Sequence, residues 1–104
     1  MPEVGPDAFR LTRAALSDIS GIWDYSARTW SVDQANAYIR GLHQTFEAIS
    51  QNPYIARERT ELNPPMRVHS YRSHIILYRI LSDVVEITRV RHGREDWYRL
   101  TEKD

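Results

Sequence analysis

The spacing of apolar residues changes its period along the chain, and each change marks an element. Residues 8–12, "AFRLT", are short and partly alternating, which predicts a first strand. From Ala15 the positions Ala15, Leu16, Ile19, Ile22, Trp23, Ala27 and Trp30 recur every three or four residues, one face of a helix over about 13–30. Thr12 stands where its cap belongs. Trp23 and Trp30 share that stripe and are expected in or beside the core. "SVDQ", Ser31–Gln34, has the form of a capping box and opens a second helix over about 32–51. Its stripe is Ala35, Tyr38, Ile39, Leu42, Phe46 and Ile49. Pro53 ends it, because proline cannot continue a helix and disfavours helix in the residue before it. So short a connection folds the two helices into an antiparallel hairpin.

Residues 53–65, "PYIARERTELNPP", read as a polar loop bounded by prolines. Three strand-like runs follow, at about 66–71, 74–81 and 84–92, joined by turns as short as Ser82–Asp83. The middle run and the start of the last are apolar on both phases, as central strands are. The order β-α-α-β-β-β gives an α+β fold, with the helical hairpin packed on one face of a small, mainly antiparallel sheet. At 104 residues, with a short polar C-terminal tail, the chain 1–104 is expected to be a single domain.

Composition narrows the function classes. There is no cysteine, hence no disulfide framework and no thiolate metal site. No stretch approaches the roughly 20 apolar residues of a membrane span, and "MPEVGPDAF" lacks the pattern of a signal peptide. A cytoplasmic protein without a membrane role is expected. Net charge is zero, yet the basic residues are arginine apart from Lys103. Residues 1–56 hold four arginines against six acids, net −2, and residues 57–99 nine against six, net +3. The second half therefore favours an anionic partner. The histidines have no helical i, i+4 pair, so neither a metal nor another cofactor is expected.

Several segments taken in order resemble the RelE/ParE family of bacterial type II toxin–antitoxin systems. They are "LTRAALSDISGIWDY", "FEAISQNP", Arg67 before the strand turn, "ILYRI" and "VEITRVRHGREDW", and together they run over nearly the whole chain. The last, a strand followed by Arg-Val-x-His-Gly-Arg-x-Asp, is the most specific and resembles the ParE branch. The resemblance implies a toxin neutralised in a hetero-oligomeric complex by a tightly bound ParD-like antitoxin. It further implies an inhibitor that poisons DNA gyrase by binding, with no sequence-specific DNA binding of its own. The RelE branch implies the alternative, a ribosome-dependent endoribonuclease that cuts messenger RNA without metal. A third alternative is an attenuated toxin that still binds antitoxin. Glu95 stands where the terminal motif usually carries a second arginine, and the tail closes in acid.

The stretch "RVRHGREDW", residues 89–97, concentrates the candidate chemistry. Read structurally, His92 bonds to backbone at the strand's end, Gly93 supplies a positive φ for the turn, and Asp96 pairs with Arg91 or Arg94. Read as a ribonuclease, His92, Arg91, Arg94 and Tyr98 supply acid–base groups and cations, as metal-free cleavage needs. Alternation puts Arg89 and Arg91 on one face, where they are expected as an exposed pair open to a partner. Arg67, Arg72, Arg79, Arg89, Arg91, Arg94, Trp97 and Tyr25 are thus the candidate target- or antitoxin-binding residues. Arginine and exposed aromatics are what interface centres favour.

Overall fold

In the computed structural model, which describes residues 9–95 and 97, both helices begin on side-chain caps. Strand β1 (Phe9–Leu11) ends at Thr12, whose Oγ1 accepts from the Ala15 N–H at 3.0 Å and donates to the Thr88 carbonyl at 2.8 Å. One hydroxyl thus starts α1 (Arg13–Thr29) and ties it to the sheet. Ser31 Oγ accepts from the Gln34 N–H at 3.0 Å and opens α2 (Val32–Gln51). Asn52 and Pro53 end it and lead into a 3-10 turn, Pro53–Ile55. Then come β2 (Glu58–Arg59), β3 (Met66–Tyr71), β4 (His74–Leu81) and β5 (Val84–His92). The expected polar loop 53–65 therefore contains a turn of helix and a two-residue edge strand, too short to leave a periodic signal.

The sheet order is β1-β5-β4-β3-β2. β1 runs parallel to β5, and every other pairing is antiparallel. Both helices cover one face. Leu42, Phe46 and Ile49 of α2 and Ala15 of α1 pack with Ile76, Tyr78, Val85, Ile87 and Val90 of the central strands, all buried. Each large apolar side chain buried here contributes about 1.5–3 kcal/mol. The Tyr78 hydroxyl donates to the Pro53 carbonyl at 2.7 Å, so the largest buried side chain leaves no polar orphan. Gly41 lets α2 approach β3, because a Cβ there would run into the Tyr71 hydroxyl, which donates to the Tyr38 carbonyl.

A β-bulge sets the direction of the charged strand end. Leu81 lies opposite Val84, but His74 lies opposite His92, because β5 gains one residue at Thr88 relative to Leu77 and Tyr78. Val85 and Ile87 face the helices, and beyond the bulge Val90 does so. Arg89 and Arg91 are turned away from the core that plain alternation would have sent them into.

Two expectations are corrected. Trp30 is not in the core; it is the residue that leaves α1, and 68% of it is exposed. Trp23 is half-buried, with its indole N–H donating to Asn36 Oδ1 at 2.9 Å. Gly93 has no positive φ; the left-handed positions of the hairpin turns fall on Arg72 (φ 51°) and Ser82 (φ 49°). Gly93 serves a close approach instead. Its N–H donates to the Ser73 carbonyl at 2.8 Å, and a Cβ would lie 3.3 Å from that oxygen.

Candidate interaction site between the first helix and the sheet end

β1 pairs with β5 only as far as Ile87, so among the described residues the edge of β5 from Thr88 onward has no strand beside it. Two carboxylates take that place. Asp18 of α1 accepts the Val90 N–H at 3.0 Å, and Glu95 accepts the His92 N–H at 3.1 Å. Asp18 also accepts a fork from Arg89, Nε at 2.8 Å and Nη2 at 3.0 Å, and Arg91 Nη1 at 2.9 Å. Arg91 Nη2 reaches Glu95 at 2.6 Å, so one guanidinium joins both acids. Burial raises the Asp18 carboxyl, but hydrogen bonds from Arg89, the Val90 N–H and Arg91 outweigh it and hold it below the usual carboxylate range. The Arg91 hydrogen bond holds Glu95 down in the same sense.

Arg89 and Arg91 are therefore not the exposed pair expected from the sequence. Their side chains are 25% and 29% exposed, and both are spent on an acid contributed from α1.

Beside this network lies an open groove of about 830 Å³. One wall is α1, with Ser17, Gly21, Ile22 and Tyr25, and beyond it Trp30. Tyr38 of α2 and the turn Arg72–His74 close one end, and Val90, Arg91, His92 and Glu95 form the far wall. Tyr25 and Trp30 are 63% and 68% exposed, so the lip is aromatic and wet. Gly21 leaves open space, since nothing stands within 4 Å of where its Cβ would be. Inside, the Tyr38 hydroxyl shares a 2.7 Å hydrogen bond with His74 Nδ1, and the His74 ring meets His92 edge-to-face at 5.3 Å. Burial first, and the neighbouring His92 second, hold His74 below its ordinary value, so it is neutral at pH 7. Burial raises the Tyr38 hydroxyl, which keeps its proton.

Of the residues singled out from sequence, the groove gathers Tyr25, Arg72, Arg91 and His92. The others lie outside its lining. Arg67 donates to the Ala56 carbonyl at 2.6 Å and sits over the Tyr54 ring. Arg79 pairs with Glu86 at 2.9 Å. Half-buried Trp97 has the Arg59 guanidinium 5.9 Å from its ring. Arg94 is exposed, and its backbone N–H donates to His92 Nδ1 at 3.1 Å, which gives His92 a strand-closing bond. Asp96 and Tyr98 lie outside the described residues; among those described, the acids that pair with Arg91 are Asp18 and Glu95. Asp18, Tyr38 and His74 were missed. Asp18 is some 70 positions from its partners and has no local signal, while His74 reaches His92 only through the bulged register. Among the described residues no three His, Asp or Glu side chains are grouped to hold a metal ion.

A helical hairpin on one face of a mixed five-stranded sheet is a fold found in a component of a toxin–antitoxin system. A solved structure of the chromosomal ParDE TA system from P. aeruginosa superposes with a TM-score of 0.71 over 81% of this chain and 92% of that one, at 16% identity. The model of the ParE toxin of type II toxin–antitoxin systems matches residues 9–97, and the chain belongs to that family. It is 35% identical over 89 residues to Toxin ParE1 of Mycobacterium tuberculosis (strain H37Rv), covering 85% of this chain and 91% of the relative. To Toxin ParE1 of Caulobacter vibrioides it is 38% identical over 84 residues, covering 81% and 86%.

Proposed function

We propose that this ParE toxin is held inactive by a tightly bound ParD-like antitoxin, and that released it inhibits DNA gyrase by binding rather than by chemistry. The groove carries the antitoxin half of the reading. Its aromatic lip and the space beside Gly21 suit apolar side chains, and Arg72 has no carboxylate partner among the described residues. An amphipathic acidic segment meets both needs. Arg94, exposed past the end of β5, is left to a target. No described helix is long and apolar enough to cross a membrane, and the reading places the chain in the cytoplasm with gyrase and its DNA.

Gly21→Leu tests the groove. The new side chain enters open space and favours the helix by up to about 1 kcal/mol, so the variant folds at least as well as the parent. It is expected to lose co-purification with the antitoxin encoded beside it; unchanged capture would remove the groove from the proposal. Expression alone should arrest growth with DNA-damage signalling, rescued by that neighbour, and the purified chain should block supercoiling and trap cleaved DNA. Antitoxin binding without arrest would mark an attenuated toxin.

A second reading rests on Tyr38, His74 and His92 meeting beside Arg72 and Arg91. A neutral histidine able to take a 2′-hydroxyl proton, a hydroxyl or histidine to protonate the leaving oxygen, and cations for the phosphate satisfy metal-free RNA cleavage. This ribonuclease reading predicts cut messenger RNA on translating ribosomes, lost in His92→Ala. Intact messenger RNA during growth arrest would exclude it.

A further inference from the structure

On the sheet face turned away from the helices, three neighbouring strands set Arg10, Glu86 and Arg79 side by side. Glu86 is in the middle. One of its oxygens accepts Arg79 Nε at 2.9 Å and the other Arg10 Nη2 at 3.4 Å. The acid's side chain is 11% exposed, whereas Arg10 and Arg79 keep 62% and 46% of theirs. A carboxylate as buried as Glu86 needs a cation beside it, but one guanidinium is enough to balance its charge, so the second arginine is surplus. The effect of the two together is on position. Each long side chain is anchored by one nitrogen, which lowers the conformational entropy that binding must still remove. The remaining terminal nitrogens have no partner among the described residues, and the trio keeps a net charge of +1. A strand spacing of about 4.8 Å puts the two arginine backbones roughly 10 Å apart.

We propose that Arg10 and Arg79, spaced by Glu86, form a clamp for the backbone phosphates of double-stranded DNA, without reading its sequence. Guanidinium forks match phosphate oxygens in geometry and charge. An acidic protein partner is the competing occupant, and the surroundings disfavour it. Protein interfaces set their charges around an apolar anchor. Among the described residues, the exposed large apolar side chains Leu16, Tyr25, Trp30, Val32, Tyr54 and Ile55 all stand on the helices or the segments bounding them, and none is on this strand face. The clamp is also distinct from the groove. It does not depend on gyrase being the target, although a toxin acting on a DNA-bound enzyme would meet such phosphates.

The test is titration of the full chain into a short fluorescein-labelled duplex of arbitrary sequence at several salt concentrations. Two phosphate contacts give a slope of log affinity against log salt near −2, at about −0.9 per contact. On the same basis Arg10→Gln and Arg79→Gln each weaken binding about eightfold at 0.1 M salt and flatten the slope by roughly one. Replacing both arginines by lysine keeps the salt slope, which counts charge, but weakens binding, because an ammonium cannot fork a phosphate while anchored to Glu86. Glu86→Gln raises affinity, a sign that misfolding does not produce. Unchanged binding in both Gln variants overturns the clamp. So does poly-glutamate binding as tightly as DNA with the same arginine dependence, which would assign the face to an acidic protein. Supercoiling assays on the same variants separate the two proposals. Arginine-dependent DNA binding without any effect on gyrase sinks the gyrase reading alone, and gyrase trapping with arginine-independent DNA binding sinks the clamp alone.

Discussion

The two halves of β5 are held by different means. From Val85 to Ile87 the strand has β1 on one side and β4 on the other, and its inward side chains sit in the core. From Thr88 to His92 the β1 side is closed by Asp18 and Glu95, which take the Val90 and His92 N–H groups. A sheet edge can thus be finished by carboxylates in place of a strand. Once it is, the nearby arginines answer first to those carboxylates. Apolar burial is nearly indifferent to pH, whereas carboxylate closure is not, so the halves should fail under different conditions.

Truncation in the first half is expected to cost most. Ile87 is fully buried in the main cluster, and Ile87→Ala should lower the unfolding free energy by about 4 kcal/mol, the middle of the range for such cavities. Chemical denaturation at pH 7 and again at pH 4.5 checks it, and the loss should be the same at both.

Asp18→Ala should cost less, about 2–3 kcal/mol. It strands the Val90 N–H and the Arg89 fork. Loss of a fully buried pair would cost more, but these guanidiniums stay partly exposed and recover water. Hydrogen exchange should quicken at Val90 before Val85. A cost below about 0.5 kcal/mol would put Asp18 among ordinary surface charges and dissolve the comparison. Its carboxyl lies below 3.8 in the folded chain, so its contribution is present above 3.8 and is lost as pH falls through the folded value.

The first half of β5 was legible and the second was not, for a physical reason. An apolar run between turns identifies a central strand whatever its neighbours are, and the helix stripes with their Thr12 and Ser31 caps are equally local signals. The fold class follows from them. What Arg89 and Arg91 do depends on a bulge at Thr88 and on an aspartate in the first helix, and neither leaves a periodic trace. The histidines suffer the same way: without the bulge His74 would face Arg91, and with it His74 meets His92. Trp30 misled because a stripe continues on paper after the helix has ended. Gly93 misled because glycine answers to close approach as well as to positive φ.

Glu95→Gln is the milder test of the carboxylate edge. A glutamine oxygen still accepts the His92 N–H and loses only the charged half of the Arg91 contact, so the cost should be about 0.5 kcal/mol. Its use is the contrast with Asp18. If Glu95→Gln matched Asp18→Ala, the closure would reside in the segment after β5, and α1 would not be the element that finishes the sheet.

The smallest expected effect belongs to His74, and only its sign is at stake. In the folded chain this imidazole titrates below its ordinary value of 6.5, because it is buried against Tyr38 with His92 and Arg91 nearby, only partly offset by Glu95. The unfolded chain therefore binds a proton that the folded chain refuses between those two values. Stability is highest above 6.5 and declines as pH falls toward the folded value. Denaturation midpoints measured from pH 7.5 to 5 should slope downward in the parent and less so in His74→Gln, which has no charge to gain. The carboxylate pair does not confuse the reading, because Asp18 and Glu95 titrate below this window. An unchanged slope in His74→Gln would assign the pH dependence to another group and leave the histidines of the groove as packing residues.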